Sequence, residues 1–145
     1  MHEYRTQRRI EFADTDMAGI VHFARFFVFM ETAEHEFLRA VGAPGVHFEH
    51  EGRHLGWPRV AASCQYKSPA RVGDVLDVHL RVQRKGNRAM TYAVTFTIGE
   101  RLVARGEVSS ICCAMGSGPL EPTQLEPVAI PDFLAARIEE APANP

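Results

Sequence analysis

The sequence predicts an α+β protein in which a five-stranded antiparallel sheet wraps around one long central helix. Apolar residues recur at helical spacing from residue 20 to residue 41, nearly all round the helix, and such an element is normally buried. Four segments of alternating apolar and polar residues follow, joined by turns too short for parallel crossovers. One strand, one helix and four strands in this order therefore favour an antiparallel sheet packed on the helix.

The first two predicted elements are a short strand and the long helix. Residues 4–12 alternate in polarity and predict a strand, although Arg8 interrupts its apolar side. The helix is predicted from Ile20 to Val41, and Gly42 provides its stop signal. The apolar positions at helical spacing that support it are Phe23, Phe26, Phe27, Met30, Phe37 and Val41.

The rest of the chain is predicted to be a loop, four strands and a tail. Residues 42–58 carry four glycines and two prolines and indicate a loop. A short helix is expected from about residue 131, followed by frayed last residues. All 145 residues are predicted to form a single domain without internal repeats. The four alternating strands cover residues 60–67, 76–83, 91–98 and 101–113.

Composition and charge exclude several classes of protein. A net charge of −2 gives no basis for bulk nucleic-acid binding, which needs a basic excess. The three cysteines, Cys64, Cys112 and Cys113, form no disulfide or zinc pattern and suit a reducing compartment. No apolar run is long enough to span a membrane, and the N-terminus shows no signal-peptide pattern. We therefore expect a cytoplasmic protein.

The most informative segment is residues 11–23, EFADTDMAGIVHF, between the first strand and the helix. It contains two carboxylates, Asp14 and Asp16, followed by Gly19. Backbone N–H groups at a helix N-terminus can stabilise an oxyanion, and a nearby carboxylate can act as a base or nucleophile. Aspartate also commonly caps helices and turns, and we expect that bracing role for Asp14. The segment predicts chemistry at an acyl bond.

The order of elements, with Asp14-Thr15-Asp16-x-x-Gly19-x-Val21 before the helix, resembles the hotdog-fold acyl-CoA thioesterases. Within them it is most similar to the 4-hydroxybenzoyl-CoA thioesterase and YbgC-like group. The resemblance covers nearly the whole chain. It implies hydrolysis of an acyl- or aryl-CoA thioester, or of an acyl-carrier-protein thioester, to free acid and thiol. It further implies no cofactor, since coenzyme A is part of the substrate, and a homodimer or homotetramer with sites between subunits.

The same resemblance implies roles for individual residues. The catalytic carboxylate of the family corresponds to Asp16, which would attack the acyl carbon directly or activate a water. The carbonyl-polarising backbone N–H corresponds to Phe23, and the acidic residue further along the helix corresponds to Glu31. Gly19 lies at the turn into the helix, next to the substrate. His22 stands where relatives often carry an aromatic residue and is a candidate substrate contact.

Two further sets of residues are expected to bind substrate or to face solvent. The turn that holds Arg84, Lys85 and Arg88 would suit the phosphates of coenzyme A, although an ordinary charged turn has the same composition. With sites between subunits, Ser63 or Glu31 would serve Asp16 of a neighbouring chain. Residues 34–36, Glu-His-Glu, are expected on a solvated face.

Two alternative functions use the same fold. A dehydratase or hydratase of 3-hydroxyacyl or enoyl thioesters needs a histidine paired with an acid, and His22 with Asp16 is the local candidate. A non-catalytic module that binds acyl thioesters is the other. A metal site is not expected, because His47, His50 and His54 match no zinc-binding spacing.

Overall fold

The computed structural model describes residues 1–116 and 125–143, which form two antiparallel sheets and two helices. The helices are α1 (Arg25–Ala40) and the short α2 (Asp132–Ala135), and a single 3-10 turn covers Phe12–Asp14. The strands are β1 (Glu3–Arg9), β2 (Phe48–His50), β3 (Arg53–Gly56), β4 (Arg59–Tyr66), β5 (Val75–Lys85), β6 (Ala89–Ile98), β7 (Arg101–Ile111), β8 (Cys113–Met115) and β9 (Glu126–Pro127).

The main sheet has five strands in the order β1-β5-β6-β7-β4, all antiparallel. Alternation along β5 and β6 sends every second side chain to the helix side, and these side chains form most of the core. Strand β4 pairs only with β7 among the described strands, so its other edge carries unpaired backbone groups. The buried helix-facing residues of β5 and β6 are Leu76, Val78, Leu80, Val82, Met90, Tyr92, Val94 and Phe96.

Helix α1 packs one face against this sheet, which corrects the expectation of a helix buried all round. Val28 is 41% exposed, and Glu31 and Arg39 also face solvent. The apolar content of the α1 sequence overestimated how much of the helix is buried, because among the described residues only one layer of sheet packs against it. The buried stripe follows the 3.6-residue period and consists of Phe26, Phe29, Met30, Ala33, Glu34, Phe37 and Leu38.

The helix also begins later than predicted, at Arg25 instead of Ile20. Thr15 and Val21 form an antiparallel bridge, and the Val21 N–H donates to the Ala70 carbonyl at 2.8 Å. These pairings use the backbone groups that a helical turn would need, so the chain stays non-helical up to residue 24.

The second sheet was not predicted. It has the order β2-β3-β8-β9 and takes two strands from the segment 42–58 that was expected to be a loop. Glu51 and Gly52, both at positive φ, form the turn between β2 and β3. The predicted strand 101–113 divides at Cys112, whose N–H donates to the Arg88 carbonyl at 2.8 Å. The alternation is too short in these strands to stand out from a loop.

The C-terminal segment closes one end of the core. Ile130, Leu134 and Ile138 are buried, and α2 confirms the expected short helix. The Ala141 N–H donates to the Val82 carbonyl at 2.7 Å, so the chain is held to β5 this far and is not frayed. Residues 144 and 145 of the predicted frayed end lie outside the described residues. Within the part of the chain that the structure describes, no helix is long and apolar enough to cross a membrane.

Candidate active site

The segment between β1 and α1 folds into a closed turn that presents Asp16. The Asp16 N–H donates to the Ile20 carbonyl at 3.1 Å, and the Gly19 N–H donates to the Asp16 carbonyl at 2.9 Å. Gly19 has φ +77, a conformation that costs other residues energy but not glycine. Gly19 therefore lets the chain reverse direction immediately after Asp16.

Asp14 and Asp16 are separated by one residue but have opposite surroundings. Asp14 is 5% exposed, and its carboxylate accepts hydrogen bonds from the Glu11 N–H at 2.8 Å and the Arg25 Nε at 2.9 Å. Arg25 Nη2 lies 2.7 Å from the same carboxylate. Asp14 thus joins the 3-10 turn to the start of α1, which confirms the bracing role expected from the sequence.

Asp16 is exposed and keeps most of its carboxylate free. One oxygen accepts a hydrogen bond from the Ala18 N–H at 2.9 Å, which holds the side chain against its own turn. The carboxylate lines an open cleft of about 580 Å³ between the turn, the start of α1 and the end of β4. The rings of Phe23, Phe26 and Tyr66 form an aromatic wall of this cleft, and Lys67 is the positively charged residue in its lining.

Phe23 reaches the same cleft and has a free backbone donor. The residue is 61% exposed, and its ring lies edge-on to the Tyr66 ring, with centroids 6.4 Å apart. The Phe23 carbonyl accepts a hydrogen bond from the Tyr66 hydroxyl at 2.9 Å. No acceptor for the Phe23 N–H is found among the described residues. The residue therefore has its carbonyl anchored and its N–H available, close to the N-terminus of α1.

Sequence reasoning missed Tyr66, although it lies at the end of a predicted strand. Its hydroxyl connects β4 to the segment before α1, and its ring packs against Phe26 with centroids 5.5 Å apart. Nothing in the local sequence indicates this contact, because the two residues that it joins lie 43 positions apart.

His22 lies beside the site but is not paired with Asp16. Its Nδ1 accepts a hydrogen bond from the Ala24 N–H at 3.2 Å, and its ring lies 4.7 Å from the Phe23 ring. Its own backbone N–H donates to the Asp14 carbonyl at 2.8 Å. None of the ion pairs among the described residues joins His22 to Asp16. The histidine–acid pair that a dehydratase would need is therefore absent from this part of the chain.

The acidic residue buried on α1 is Glu34, and the expectation of a solvated face at this position was wrong. Glu34 is 1% exposed, and its carboxylate accepts hydrogen bonds from Arg59 Nη2 at 3.0 Å and the Ser110 hydroxyl at 3.2 Å. Burial raises the pKa of the Glu34 carboxyl, against the opposing effects of Arg59 and Ser110. Glu34 follows Met30 by four positions, so helical phase would have indicated its burial.

Glu31 has the opposite environment. Its side chain is 51% exposed and lies 3.9 Å from Arg59 Nη2, and it does not line the Asp16 cleft. The structure therefore does not bring Glu31 to Asp16 within one chain.

The basic turn also lies away from Asp16. Strand β5 starts beside the Asp16 turn, where the Ile10 N–H donates to Asp74, and it ends at Lys85. Eleven residues of strand separate the two ends by roughly 33 Å. Lys85 Nζ donates to the Ala135 and Ile138 carbonyls at 2.5 and 2.9 Å, so it holds the C-terminal segment.

The other predicted substrate contacts are exposed. Arg84 and Arg88 face solvent at the far end of the sheet, and Ser63 lies on the edge strand β4. None of them lines the Asp16 cleft. Among residues 1–116 and 125–143, no three His, Cys, Asp or Glu side chains are grouped as a metal site requires. His54 and His50 instead lie 3.3 Å from Glu49 and 3.7 Å from Glu51.

Comparisons with known proteins agree with this architecture. A family model described as the thioesterase-like superfamily matches residues 10–138. A 1,4-dihydroxy-2-naphthoyl-CoA hydrolase of Synechococcus elongatus is 28% identical over 112 residues, which are 77% of this chain and 82% of that protein. The acyl-CoA thioester hydrolase YbgC of Escherichia coli O6:H1 is 24% identical over 143 residues, which are 94% and 96% of the two chains. The structure of a gentisyl-coenzyme A thioesterase superposes with a TM-score of 0.76 at 25% identity, over 92% of this chain and 98% of that chain.

The chain belongs to the thioesterase-like superfamily. The resemblance to hotdog thioesterases that rested on the Asp14–Val21 motif is thereby confirmed, and the chain is a thioester hydrolase. An antiparallel sheet that carries a helix on one face is the scaffold of this class.

Proposed function

We propose that this chain hydrolyses acyl-coenzyme A thioesters, with Asp16 as the catalytic carboxylate. One observation carries the proposal: the exposed carboxylate of Asp16 and the backbone N–H of Phe23, which has no acceptor among the described residues, belong to residues that line the same apolar cleft. The names of the relatives, which include hydrolases of acyl-CoA and aryl-CoA thioesters, support coenzyme A as the thiol. An acyl-carrier protein presents the same phosphopantetheine thioester and is the second carrier to test.

The proposed reaction begins with attack on the acyl carbon. Either Asp16 takes a proton from a water whose oxygen attacks this carbon, or the Asp16 carboxylate attacks it directly. In both routes the carbonyl oxygen becomes negative and accepts a hydrogen bond from the Phe23 N–H. The carbon–sulfur bond then breaks, and the thiolate leaves without a strong general acid. The first route yields the free acid at this point, and the second yields an anhydride that water hydrolyses to the free acid and the Asp16 carboxylate. The proposed chemistry requires only the thioester and water, with no cofactor.

The cleft favours an apolar acyl group, aliphatic or aromatic. The rings of Phe23, Phe26 and Tyr66 form its wall, and Lys67 and Ser68 lie at its border. Burial of apolar surface against these rings stabilises the bound acyl group by about 25 cal/mol per Å². Gly19 would allow the thioester to approach the turn closely, because it carries no side chain.

We further propose that the active form is a homo-oligomer built through the β4 edge. In this arrangement the five-stranded sheet wraps around α1 as the central helix of the hotdog fold. Pairing of two β4 strands in antiparallel orientation would place the Arg59 end of one strand beside the Tyr66 end of the other. The site of one chain would then lie close to the partner's basic turn.

This assembly gives the distant predicted residues a role. Arg84 and Arg88 of one subunit would bind the phosphates of coenzyme A held at Asp16 of the other subunit, and Ser63 and Glu31 would border that interface. The support is topological. The same end of β7 pairs with β4 at Arg59 and with β6 at Ala89, so the Arg59 end of β4 and the β5–β6 turn lie at the same end of the sheet.

Thiol release from a panel of short-chain, long-chain and aromatic acyl-CoA substrates tests the activity. We expect at least one substrate to be cleaved, and Asp16→Asn to lower kcat by about 10²- to 10⁴-fold. Asp132→Asn, an exposed carboxylate on α2, is the matched control and should keep full activity. Full activity in Asp16→Asn would refute the assigned carboxylate, and binding without thiol release would indicate a non-catalytic module.

A further inference from the structure

A second groove of about 460 Å³ lies between β1 and the first half of α1. It shares no lining residue with the Asp16 cleft, although residues 11–14 of the same connecting segment border it. Three arginines, Arg8, Arg9 and Arg25, face it, against the carboxylates of Glu11 and Asp14. The groove therefore carries a net positive charge.

Arg8 occupies a position of β1 at which the alternating pattern predicts an apolar residue. It alternates with Thr6 and Ile10 on the helix-facing side of β1, and Ile10 is 1% exposed. Arg8 is half-buried, and its guanidinium lies over the Phe29 ring, with Cζ 5.8 Å from the ring centroid. A charged group placed this way loses part of its hydration, which is costly unless a partner replaces the water.

The described part of the chain supplies Arg8 with no hydrogen-bond acceptor. Within the described residues, Arg8 forms no ion pair, and none of its five N–H donors bonds to a carboxylate or carbonyl. The Phe29 ring offers a cation–π contact but leaves these donors, which lie in the plane of the guanidinium, unused. A planar set of donors matches the geometry of phosphate or carboxylate oxygens.

Arg25 supplies a second guanidinium at the same place. Its Cζ also lies 5.8 Å from the Phe29 centroid, and its Nε and Nη2 contact Asp14. Asp14 neutralises the charge of Arg25 and so reduces its repulsion of Arg8, while Nη1 has no acceptor among the described residues. The two arginines thus offer free donors from both sides of one groove.

We propose that this groove binds the phosphate or diphosphate group of a small phosphorylated molecule, with Arg8 as its main ligand and Arg25 as the second. Val28, which is 41% exposed and borders the groove, would contact the non-polar part of that molecule. The phosphate could come from the nucleotide portion of a coenzyme A thioester, in which case this groove would take the role proposed above for Arg84 and Arg88, or from a separate phosphorylated ligand. Only the first source rests on the proposed function.

Binding of inorganic pyrophosphate and of adenosine 3′,5′-bisphosphate, measured by calorimetry at low salt, tests the site. We expect both to bind the parent protein, and Arg8→Met to weaken binding at least about tenfold, because charge-assisted hydrogen bonds are lost while the stem still covers Phe29. Arg8→Lys keeps the charge without the planar donors and should give an intermediate affinity. Arg105→Met, an exposed arginine on β7, should bind as the parent does.

The unliganded melting temperature of each variant separates loss of binding from loss of folding. Absence of binding to the parent protein, or equal affinity in the parent and a folded Arg8→Met, would overturn the proposal. This assay needs no catalytic activity, so its failure is distinct from failure of the thioesterase proposal.

Kinetics then identify the source of the phosphate. If it belongs to coenzyme A, pyrophosphate will compete with acyl-CoA, and Arg8→Met will raise KM for acyl-CoA but not for the acyl-pantetheine that lacks the nucleotide. If it belongs to a separate ligand, pyrophosphate and acyl-CoA will bind together, and KM will be the same in Arg8→Met. Either result supports the groove as a phosphate site.

Discussion

Asp14 and Asp16 show how far two identical side chains can diverge. The first is buried and holds Arg25, and the second is exposed at a cleft beside a free backbone N–H. The distinction comes from the closed turn between Thr15 and Val21, which directs Asp16 away from the core. In the proposed mechanism the backbone at Phe23 matters as much as any side chain.

Replacement of Phe23 by alanine distinguishes the contribution of its ring from that of its backbone N–H. The N–H remains, so we expect kcat to stay within about threefold, while loss of the ring from the cleft raises KM by about tenfold, or roughly 1.4 kcal/mol. Steady-state kinetics on the best substrate measure both. Phe12→Ala, which removes a more exposed ring outside the cleft, is the control. A large loss of kcat in Phe23→Ala would argue against a purely backbone role.

The buried Glu34 predicts a pH dependence of stability. Burial raises the pKa of this carboxyl above its ordinary value of 4.5, so the folded protein holds the proton more tightly than the unfolded chain. The resulting stabilisation is complete below pH 4.5 and is lost as the pH rises through the folded-state pKa. The free energy of unfolding of the parent, relative to Glu34→Gln, should therefore fall as pH rises above 4.5.

Urea unfolding at several pH values measures this difference, with Glu36→Gln on the same helix as the control. Parallel profiles for the parent and Glu34→Gln would contradict the assignment of a raised pKa to Glu34.

At the scale of elements, the contact between α1 and β7 depends on one glycine. A Cβ at Gly106 would lie 2.1 Å from Met30 Sδ and 3.2 Å from the Ser63 carbonyl oxygen. Because Met30 is fully buried, Gly106→Ala should destabilise the fold by about 1–3 kcal/mol through overpacking. Thermal and urea unfolding measure this effect.

Two comparisons make the Gly106 prediction specific. Gly86→Ala, where the added Cβ would meet the Ala89 carbonyl at an ordinary 3.5 Å, should change stability much less. The double variant Met30→Ala/Gly106→Ala should lose less free energy of unfolding than the sum of the losses in the two single variants, because the cavity left by Met30→Ala accepts the new methyl group. Strict additivity would show that the two positions do not share this contact.

At the scale of the whole molecule, β4 is an edge strand whose outer backbone groups have no strand partner in the described chain. Every residue of β4 except Cys64 is exposed, and Val60 and Tyr66 present apolar surface there. An exposed edge of eight residues is a site for pairing with another strand. The proposed oligomer pairs it with the same edge of a second copy.

Ser63→Glu tests that assembly, because two-fold pairing would bring like charges together at the centre of the edge. We expect light scattering to show a shift toward monomer, with thiol release lowered by at least about tenfold. Arg5→Glu on β1, at the opposite edge of the sheet, is the control and should leave the oligomer intact. An unchanged oligomer in Ser63→Glu would exclude the β4 interface.

The sequence by itself determined the order of the main elements, the five strands of the large sheet and the position of the Asp16 motif. Strands β5 and β6 each alternate over eight residues, and α1 repeats its apolar stripe over four turns, so local periodicity is enough to define them. The short strands β2, β3 and β8 lack that length and were missed.

Only the tertiary structure decided which charged residues are buried and which residues far apart in the sequence contact each other. Glu34 and Glu31 lie on one helix, and their burial depends on where the sheet contacts it. Tyr66 contacts Phe23, which lies 43 positions away in the sequence. Lys85 contacts Ala135 and Ile138, which lie 50 and 53 positions away. Such contacts follow from the packing of distant segments, and neither residue type nor spacing encodes them. The exposed carboxylate of Asp16 was predictable from its motif, but its aromatic cleft required the fold.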